Sequence, residues 1–325
     1  MPFTNRTTWI SIQAECSDLR RTKAHLRQGT RPSKKATNIR DIKRYLQHVS
    51  LSSEGLVIVK RTEPLGVSRD CIVVPRSVVH GLLMSLHIKL NHPTAHQLTL
   101  AFQRSFFALD LPASVADTTD SCHQCASLRQ VPHNAHEQTS GDPPETVGLF
   151  FAADVMQRDR LAVLVVRETV TSYTRTVILP DQRHDSIRSA LLCLCLDLVP
   201  ISGPPAVIRT DGAPGFAALA NDAILVNNHM RLEIGNPKNQ NKNPVAERAI
   251  QELENELLRV VPTNDRLNST SLAIATSFLN SRIRAPGFSA RELFFHRDHQ
   301  TNETIPLQDH TIISQQHDRR CANHE

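Results

Sequence analysis

A chain of 325 residues, 40% hydrophobic and 21% charged, is long enough to bury full cores and points to two or three domains. No apolar run reaches the length of a bilayer span, and the opening MPFTNRTTWISIQAECSDLRR lacks the apolar core of a secretory signal. Seven scattered cysteines argue against a disulfide framework and for thiols that are free or metal-bound in a reducing, intracellular setting.

Charge is uneven. Residues 1–60 carry twelve Lys or Arg against four Asp or Glu, a balance of +8, which leaves −3 of the total +5 for the rest. A basic amino-terminal segment suits a polyanionic partner, although a solvated basic face is also common. Residues 5–50 read as short helical pieces broken by GTRPSKKATN. Two β-branched runs, LVIVKR and CIVVPR, then predict a small hairpin across 55–75, joined by a turn with Pro and Gly. A helix over 77–90 ends at NHP, since the residue before a proline avoids helical dihedrals. A second helix is expected over 94–107, with Leu98, Ala101, Phe102 and Phe106 on one side.

His87 and His92 flank the end of the first of these helices, and CHQC begins at Cys122, with 29 residues between it and His92. Cys122 and Cys125 have the spacing at which a tight turn presents two thiolates to one metal, and two histidines complete a closed tetrahedral zinc site. CxxC alone could be redox-active or incidental. His96 is an alternative ligand to His87 or His92, while His80, His123, His133 and His136 read as surface residues. The polar, proline-containing stretch 127–147 reads as a linker.

From residue 148 the pattern changes. GLFFAADVM, RLAVLVVRE and YTRTVILP predict three adjacent antiparallel strands, followed by a helix over 184–199, the strand PAVIRTD, a helix over 213–228 and the short strand RLEIG. Strands first paired as hairpins and then alternating with helices indicate an α/β fold with a mixed sheet covered by helices. After the polar loop NPKNQNKN comes the clearest helix in the chain, 244–261. Asn243 is placed to cap it and Pro244 suits its first position. Val245, Ala249, Leu253, Leu257 and Val260 form its buried stripe.

Three acids stand out. Asp154 lies within an apolar strand, where its charge demands a metal ion or a buried arginine partner. Asp211 ends a strand, where α/β sheets present ligand groups, although a turn or cap role is equally ordinary. Glu247 sits in a first helical turn, where complementing the helix dipole suffices to explain it in isolation. Asp154 and Asp211 are separated by 56 residues, and Asp211 and Glu247 by 35. Three converging carboxylates are unstable as bare charges, and hard divalent cations resolve that repulsion.

An HHCC module followed by Asp, Asp, 35 residues and Glu resembles retroviral and LTR-retrotransposon integrases, most closely the integrase region of gypsy-class retroelement polyproteins. The stretches that carry the likeness are LHIKLNHPTAHQL, SCHQCASLR, FAADVMQR, VIRTDGAPGF, NPVAERAIQELE and NSRIRAPGFSARELFFHRD, spanning most of residues 50–300. The resemblance implies an RNase H-like catalytic core, a five-stranded mixed sheet with helices on both sides, behind a small helical zinc-binding domain. It implies a basic extension over 1–54, the zinc domain over 55–130, a linker over 131–146, the core over 147–285 and a C-terminal extension over 286–325. It implies processing of DNA 3′ ends and strand transfer into target DNA. Two Mg²⁺ or Mn²⁺ ions would be held by Asp154, Asp211 and Glu247, and structural Zn²⁺ by His87, His92, Cys122 and Cys125. The implied partners are double-stranded DNA and further copies of the chain, in the nucleus, with no membrane.

The sequence departs from the family where lysines usually follow the catalytic Glu on its own face: Gln251 and Glu254 stand there, which leaves Lys238, Lys242 and Arg248 as the expected phosphate contacts. The small β-barrel domain usual in such integrases has no counterpart, and nothing resembles reverse transcriptase or RNase H. The expectation is a fragment of an element or a gene derived from one. Two alternatives to an active enzyme stay open: a catalytically idle, integrase-derived DNA- or chromatin-binding protein, and a zinc-centred interaction module whose sheet is only a scaffold.

Overall fold

Apolar, β-branched runs form hairpins at the centre of two sheets. The computed structural model describes residues 5–33, 39–62, 65–127, 146–199, 201–235, 243–261, 266–284 and 287–322. The chain divides into one unit of Met1–Gln130 with Ile283–Phe288, and a second of Val131–Arg282 with Ser289–Glu325.

The first unit runs α1 (Arg6–Glu15), α2 (Ser17–Gln28), α3 (Ile39–Leu46), β1 (Ser50–Leu51), β2 (Val57–Thr62), β3 (Ser68–Val73), α4 (Arg76–Lys89), α5 (Ala95–Gln103), β4 (Phe106–Phe107), α6 (Leu111–Asp120) and α7 (His123–Ser127). Its sheet has the order β1-β2-β3-β4. The expected hairpin is present as β2 and β3. Because strand side chains alternate between faces, neighbouring residues serve different layers. Ile58 and Ile72 face α4 and α5 through Val79, Leu82, Leu83, Leu86, Leu98 and Phe102. Val57 and Val73 face the opposite layer, with Leu19 of α2 and Tyr45 of α3. The buried Gln13 of α1 stitches this arrangement: its Nε2 donates to the carbonyls of Val57 and Val73 (2.9 and 2.7 Å), and its Oε1 accepts from Val57 N (2.8 Å).

The helix expected over 94–107 stops at Gln103. Phe106 and Phe107 instead pair in parallel with Ile72 and Val73. Aromatic side chains suit a half-buried strand, and Phe106 packs 5.3 Å from Trp9 there.

The second unit runs β5 (Phe150–Arg158), β6 (Leu161–Glu168), β7 (Thr174–Leu179), α8 (His184–Cys195), β8 (Ala206–Thr210), α9 (Pro214–Ala217), α10 (Ala223–Asn227), β9 (Met230–Ile234), α11 (Pro244–Val260), α12 (Ser269–Ser281), α13 (Ala290–Phe295) and α14 (Asp309–Ala322). The sheet order is β7-β6-β5-β8-β9. β5, β6 and β7 are antiparallel, while β8 and β9 run parallel to β5. On β6, Ala162, Leu164 and Val166 point into a core with Ile187, Leu191 and Leu194 of α8. Val163 and Val165 point the other way, onto Ala249, Leu253 and Leu257 of α11 and Leu272, Ala275 and Leu279 of α12. The result is the expected five-stranded mixed sheet with helices on both faces.

The single helix expected over 213–228 is two short ones. Asp222 breaks the run by capping α10, its Oδ1 accepting from Ile224 N and Leu225 N (2.9 and 3.1 Å), and Arg188 holds its other oxygen at 3.0 Å. At the start of α9 a Cβ on Gly215 would lie 2.6 Å from the Gln182 carbonyl oxygen and from Ile187 Cδ1, so only glycine fits.

α11 is fastened to the second unit by charge as well as packing. Arg167 of β6, 2% exposed, reaches Glu252 at 2.7 Å. Glu256, nearly sealed from solvent, receives both a bidentate bond from the equally buried Arg282 (2.8 and 2.7 Å) and one from Arg259 (2.9 Å). Removing one partner of a buried pair strands the other's charge. Arg282→Met is therefore expected to destabilise this unit by about 3 kcal/mol, the low end for such pairs because Arg259 remains. Denaturant unfolding checks this, and the added change Glu256→Gln should recover part of the loss.

Candidate metal centre and candidate active site

The two sets of candidate ligands lie in different units. In the first, α4 delivers the fully buried His87 from its last turn. Asn91 and His92 then both take left-handed backbone (φ 54°), and His92 N donates to the His87 carbonyl at 2.9 Å. That reversal aims His92 Nδ1 at His87 Nε2, 3.1 Å away. Cys122 follows α6 and Cys125 lies on α7; their sulfurs stand 3.2 Å from His92 Nδ1 and His87 Nε2 respectively. All four donor atoms fall within 4.8 Å of one another. Tetrahedral zinc bonds of about 2.0–2.3 Å set donors roughly 3.3–3.8 Å apart, a span that the observed 3.1–4.8 Å brackets, so two imidazoles and two thiols suit one closed four-coordinate site. His96, the alternative ligand, is exposed on α5 and outside the group. Among the described residues this is the one cluster of three or more His, Cys, Asp or Glu drawn tightly enough to enclose an ion. Cys16, Cys71, Cys122, Cys125, Cys193 and Cys195 are unbridged.

In the second unit the three acids occupy one face. Asp154 shares its face of β5 with Met156, which packs in the core beneath α11 and α12. Asp211 comes directly after β8, continuing the face opposite Ile208, and its Oδ1 accepts from Ala213 N at 3.2 Å in a tight turn. Glu247 is exposed in the first turn of α11, with Gln251 and Glu254 exposed on the same side. The β5–β8 ladder ends at the pair Ala152–Arg209, so the two aspartates follow the point where these parallel strands stop pairing.

Electrostatics couple the acids. Burial pushes the Asp154 carboxyl up to about 6, the bond from Val155 N (2.7 Å) opposes this, and the charges of Asp211 and Glu247 raise it further. The arginine partner weighed for Asp154 is not found: among the described residues no basic side chain pairs with it. Glu168 shows the contrasting case. It is fully buried, and burial raises its carboxyl too, but Val170 N, Thr171 N and the Thr171 hydroxyl donate to it (3.1, 2.6 and 2.5 Å), as befits a turn clamp. The three site acids are near enough for Asp154 to feel both others, yet less tightly gathered than the His/Cys quartet.

Asn243 does not cap α11 with its side chain, contrary to the expectation from its position. It is buried, and its Nδ2 donates instead to the carbonyls of Ala153 (2.9 Å) and Arg209 (3.2 Å). Elsewhere Asn268 does cap, accepting from Ser271 N at 2.9 Å. The buried stripe of α11 is Ala246, Ala249, Leu253, Glu256 and Leu257; Val245 and Val260 are half-buried at its edge. Of the expected phosphate contacts, Arg248 is exposed with its Nε 3.9 Å from Glu252. Lys238 and Lys242 lie outside the described residues. No described helix is long and apolar enough to cross a membrane.

No protein-family profile matches the chain, and no curated protein matches it. Among solved structures it is similar to one described as the crystal structure of the catalytic core domain of BIV integrase, at 17% identity and a TM-score of 0.39, covering 46% of this chain and 95% of the other. At that level of likeness the strand order and two-faced packing, rather than the superposition, define the fold.

The raised Asp154 has a consequence for stability. Its carboxyl ordinarily ionises near 3.8 and here near 6, so the stability it contributes is whole below the lower value and is lost as pH climbs through the higher. With zinc present but no added Mg²⁺ or Mn²⁺, Asp154→Asn should unfold at a higher temperature than the parent at pH 7, and the gap should close towards pH 4. Equal melting curves at pH 7 would show that ionised Asp154 costs the fold nothing.

Proposed function

We propose that this chain is a retroelement-type integrase of gypsy-class descent, a polynucleotidyl transferase that processes DNA 3′ ends and joins them to target DNA. The observation that carries the proposal is the placement of Asp154, Asp211 and Glu247 on one face, from two adjacent parallel strands and the helix laid over them. The charges of Asp211 and Glu247 both raise the Asp154 carboxyl, which supports a site where like charges oppose one another. Their hard oxygen donors fit Mg²⁺ or Mn²⁺. Two such ions, when bound, activate the attacking oxygen and stabilise the departing one in an in-line displacement.

The residues of the chain then have distinct tasks. Asp154 supplies a carboxylate from rigid central sheet, Asp211 one from a turn, and Glu247 an exposed one that can adjust to the substrate. In the first step water oxygen bonds to phosphorus, the bond from phosphorus to the 3′ oxygen breaks, and that oxygen leaves as the new 3′-hydroxyl. In the second, the 3′-hydroxyl oxygen attacks a target phosphodiester in the same way, so one P–O bond replaces another and no external energy is consumed. Arg248, with Lys238 and Lys242, would hold duplex phosphates, giving position rather than base preference. His87, His92, Cys122 and Cys125 would hold structural zinc. Double-stranded DNA as substrate would place the protein in the nucleus, working as a homo-oligomer on paired ends.

In a strand-transfer and nicking assay on short duplexes with Mn²⁺, Asp154→Asn, Asp211→Asn and Glu247→Gln should each lose at least about a thousandfold in rate, since groups acting as one unit fail together. Full activity in the Asp154 variant would refute the metal-site assignment. The exposed Gln251 and Glu254, in place of the family's lysines, favour one second reading: an idle DNA-binding descendant. It predicts salt-dependent duplex binding, unchanged by Asp211→Asn, with no joining.

For the first unit, the purified protein should carry one zinc per chain. Cys122→Ser should lose it, with loss of helical signal and protease resistance in residues 65–127, because metal affinity here is folding energy. Zinc-free protein with an intact first unit would remove the ligand assignment.

A further inference from the structure

The side-chain amide of Asn243 touches both strands that carry the aspartates and stands directly ahead of the helix that carries Glu247. It is 2% exposed, and its two N–H groups are shared between the carbonyl of Ala153, one residue before Asp154, and that of Arg209, two residues before Asp211. The backbone carbonyl of Asn243 accepts from Glu247 N at 3.0 Å. The Arg209 carbonyl belongs to the last rung of the β5–β8 ladder, Ala152–Arg209, and the Ala153 carbonyl lies one residue past it, where pairing stops. One residue therefore joins the three acid-bearing elements at the place where the strands part.

The chemistry requires an amide of this length. Serine or threonine offers one donor, aspartate offers none when ionised, and glutamine is one methylene too long for the same backbone position. The bond also has a local cost. An asparagine at this position would ordinarily cap the helix, worth about 1 kcal/mol, and here it does not. The donors go to the strands, a tertiary use that overrides the local preference.

We propose that Asn243 is the positioning residue of the three-acid site, fixing Glu247 against Asp154 and Asp211 by tying the start of α11 to β5 and β8 at once. This rests on the reading of the three acids as a divalent-cation site. Further along, α11 is held independently by Arg167–Glu252 and by Arg282–Glu256. Those anchors lie roughly 7 and 13 Å beyond Glu247 along the axis, at 1.5 Å per residue. Loss of the Asn243 amide therefore frees the first turn while the helix stays docked. A residue that merely stabilised the fold would do the opposite, lowering stability without selective effect on metal.

The test is Mn²⁺ binding, read by electron paramagnetic resonance on the full, zinc-loaded chain, beside thermal unfolding of the same samples. The parent should bind Mn²⁺ and Asp154→Asn should not. Asn243→Ala should weaken Mn²⁺ binding by about tenfold or more, the usual effect of losing a residue that orients metal ligands, with only a small shift in melting. Asn243→Ser gives the helix a capping hydroxyl while losing reach to both carbonyls, so it keeps the comparison open should the alanine variant not fold. Parent-like Mn²⁺ binding in a folded Asn243 variant overturns the positioning role while leaving the acid site standing. Loss of fold in both variants overturns it as well, in favour of a purely structural role. A parent chain that binds no Mn²⁺ overturns the acid site itself, and the positioning role with it.

Discussion

Covering a sheet on both faces leaves its central strands no solvent to lean on, and β5 is central. Phe151 and Ala153 belong to one buried layer and Met156 to the other, with β6 and β8 on either edge. A carboxylate on such a strand is denied most of its hydration and keeps only what neighbours provide. Asp154 receives one backbone N–H and two like charges. Beside that side chain β5 and β8 stop pairing, the Asp211 turn follows, and the Asn243 amide just ahead of α11 bonds the adjacent carbonyls. The same sheet absorbs Glu168 by a different solution, surrounding it with donors from its own turn.

Polar fastening of α11 complements this. A helix laid on a sheet by leucines alone can slide along its groove, because hydrophobic contact is not directional. Arg167–Glu252 and Arg282–Glu256 are directional, and the Asn243 amide adds a third fixed point. Each fixes a different stretch of the helix, so the register of α11 is set along its length.

Much of this was legible in the sequence because period and composition report burial. The alternation in LVIVKR, the apolar runs of β5 and β6, the stripe of α11 and the CHQC spacing all answer to local rules. An Asp set among Ala152, Ala153, Val155 and Met156 is conspicuous by contrast alone. What escaped depends on partners distant in sequence. Gln13 and Asn243 satisfy strand carbonyls 34 to 90 residues away, and no local pattern distinguishes such an amide from a surface or capping one. Arg167 lies in a run that reads as apolar strand, so its role is invisible until α11 is in place. The two helices that differ from expectation do so for different reasons, one distant in sequence and one local. Phe106 extends a helical stripe on paper, but β3 offers it a ladder, and Asp222 makes a better cap than a mid-helix residue.

Gln13 carries a consequence for how this protein could change over time. By bonding both strands of the β2–β3 hairpin, it ties the basic amino-terminal segment to the hairpin, whose second wall that segment forms with Leu19 and Tyr45. A segment woven in this way is not modular. The segment cannot be exchanged wholesale without a replacement that also roofs Val57 and Val73. Inheritance of the hairpin and of the helices before it is thereby coupled.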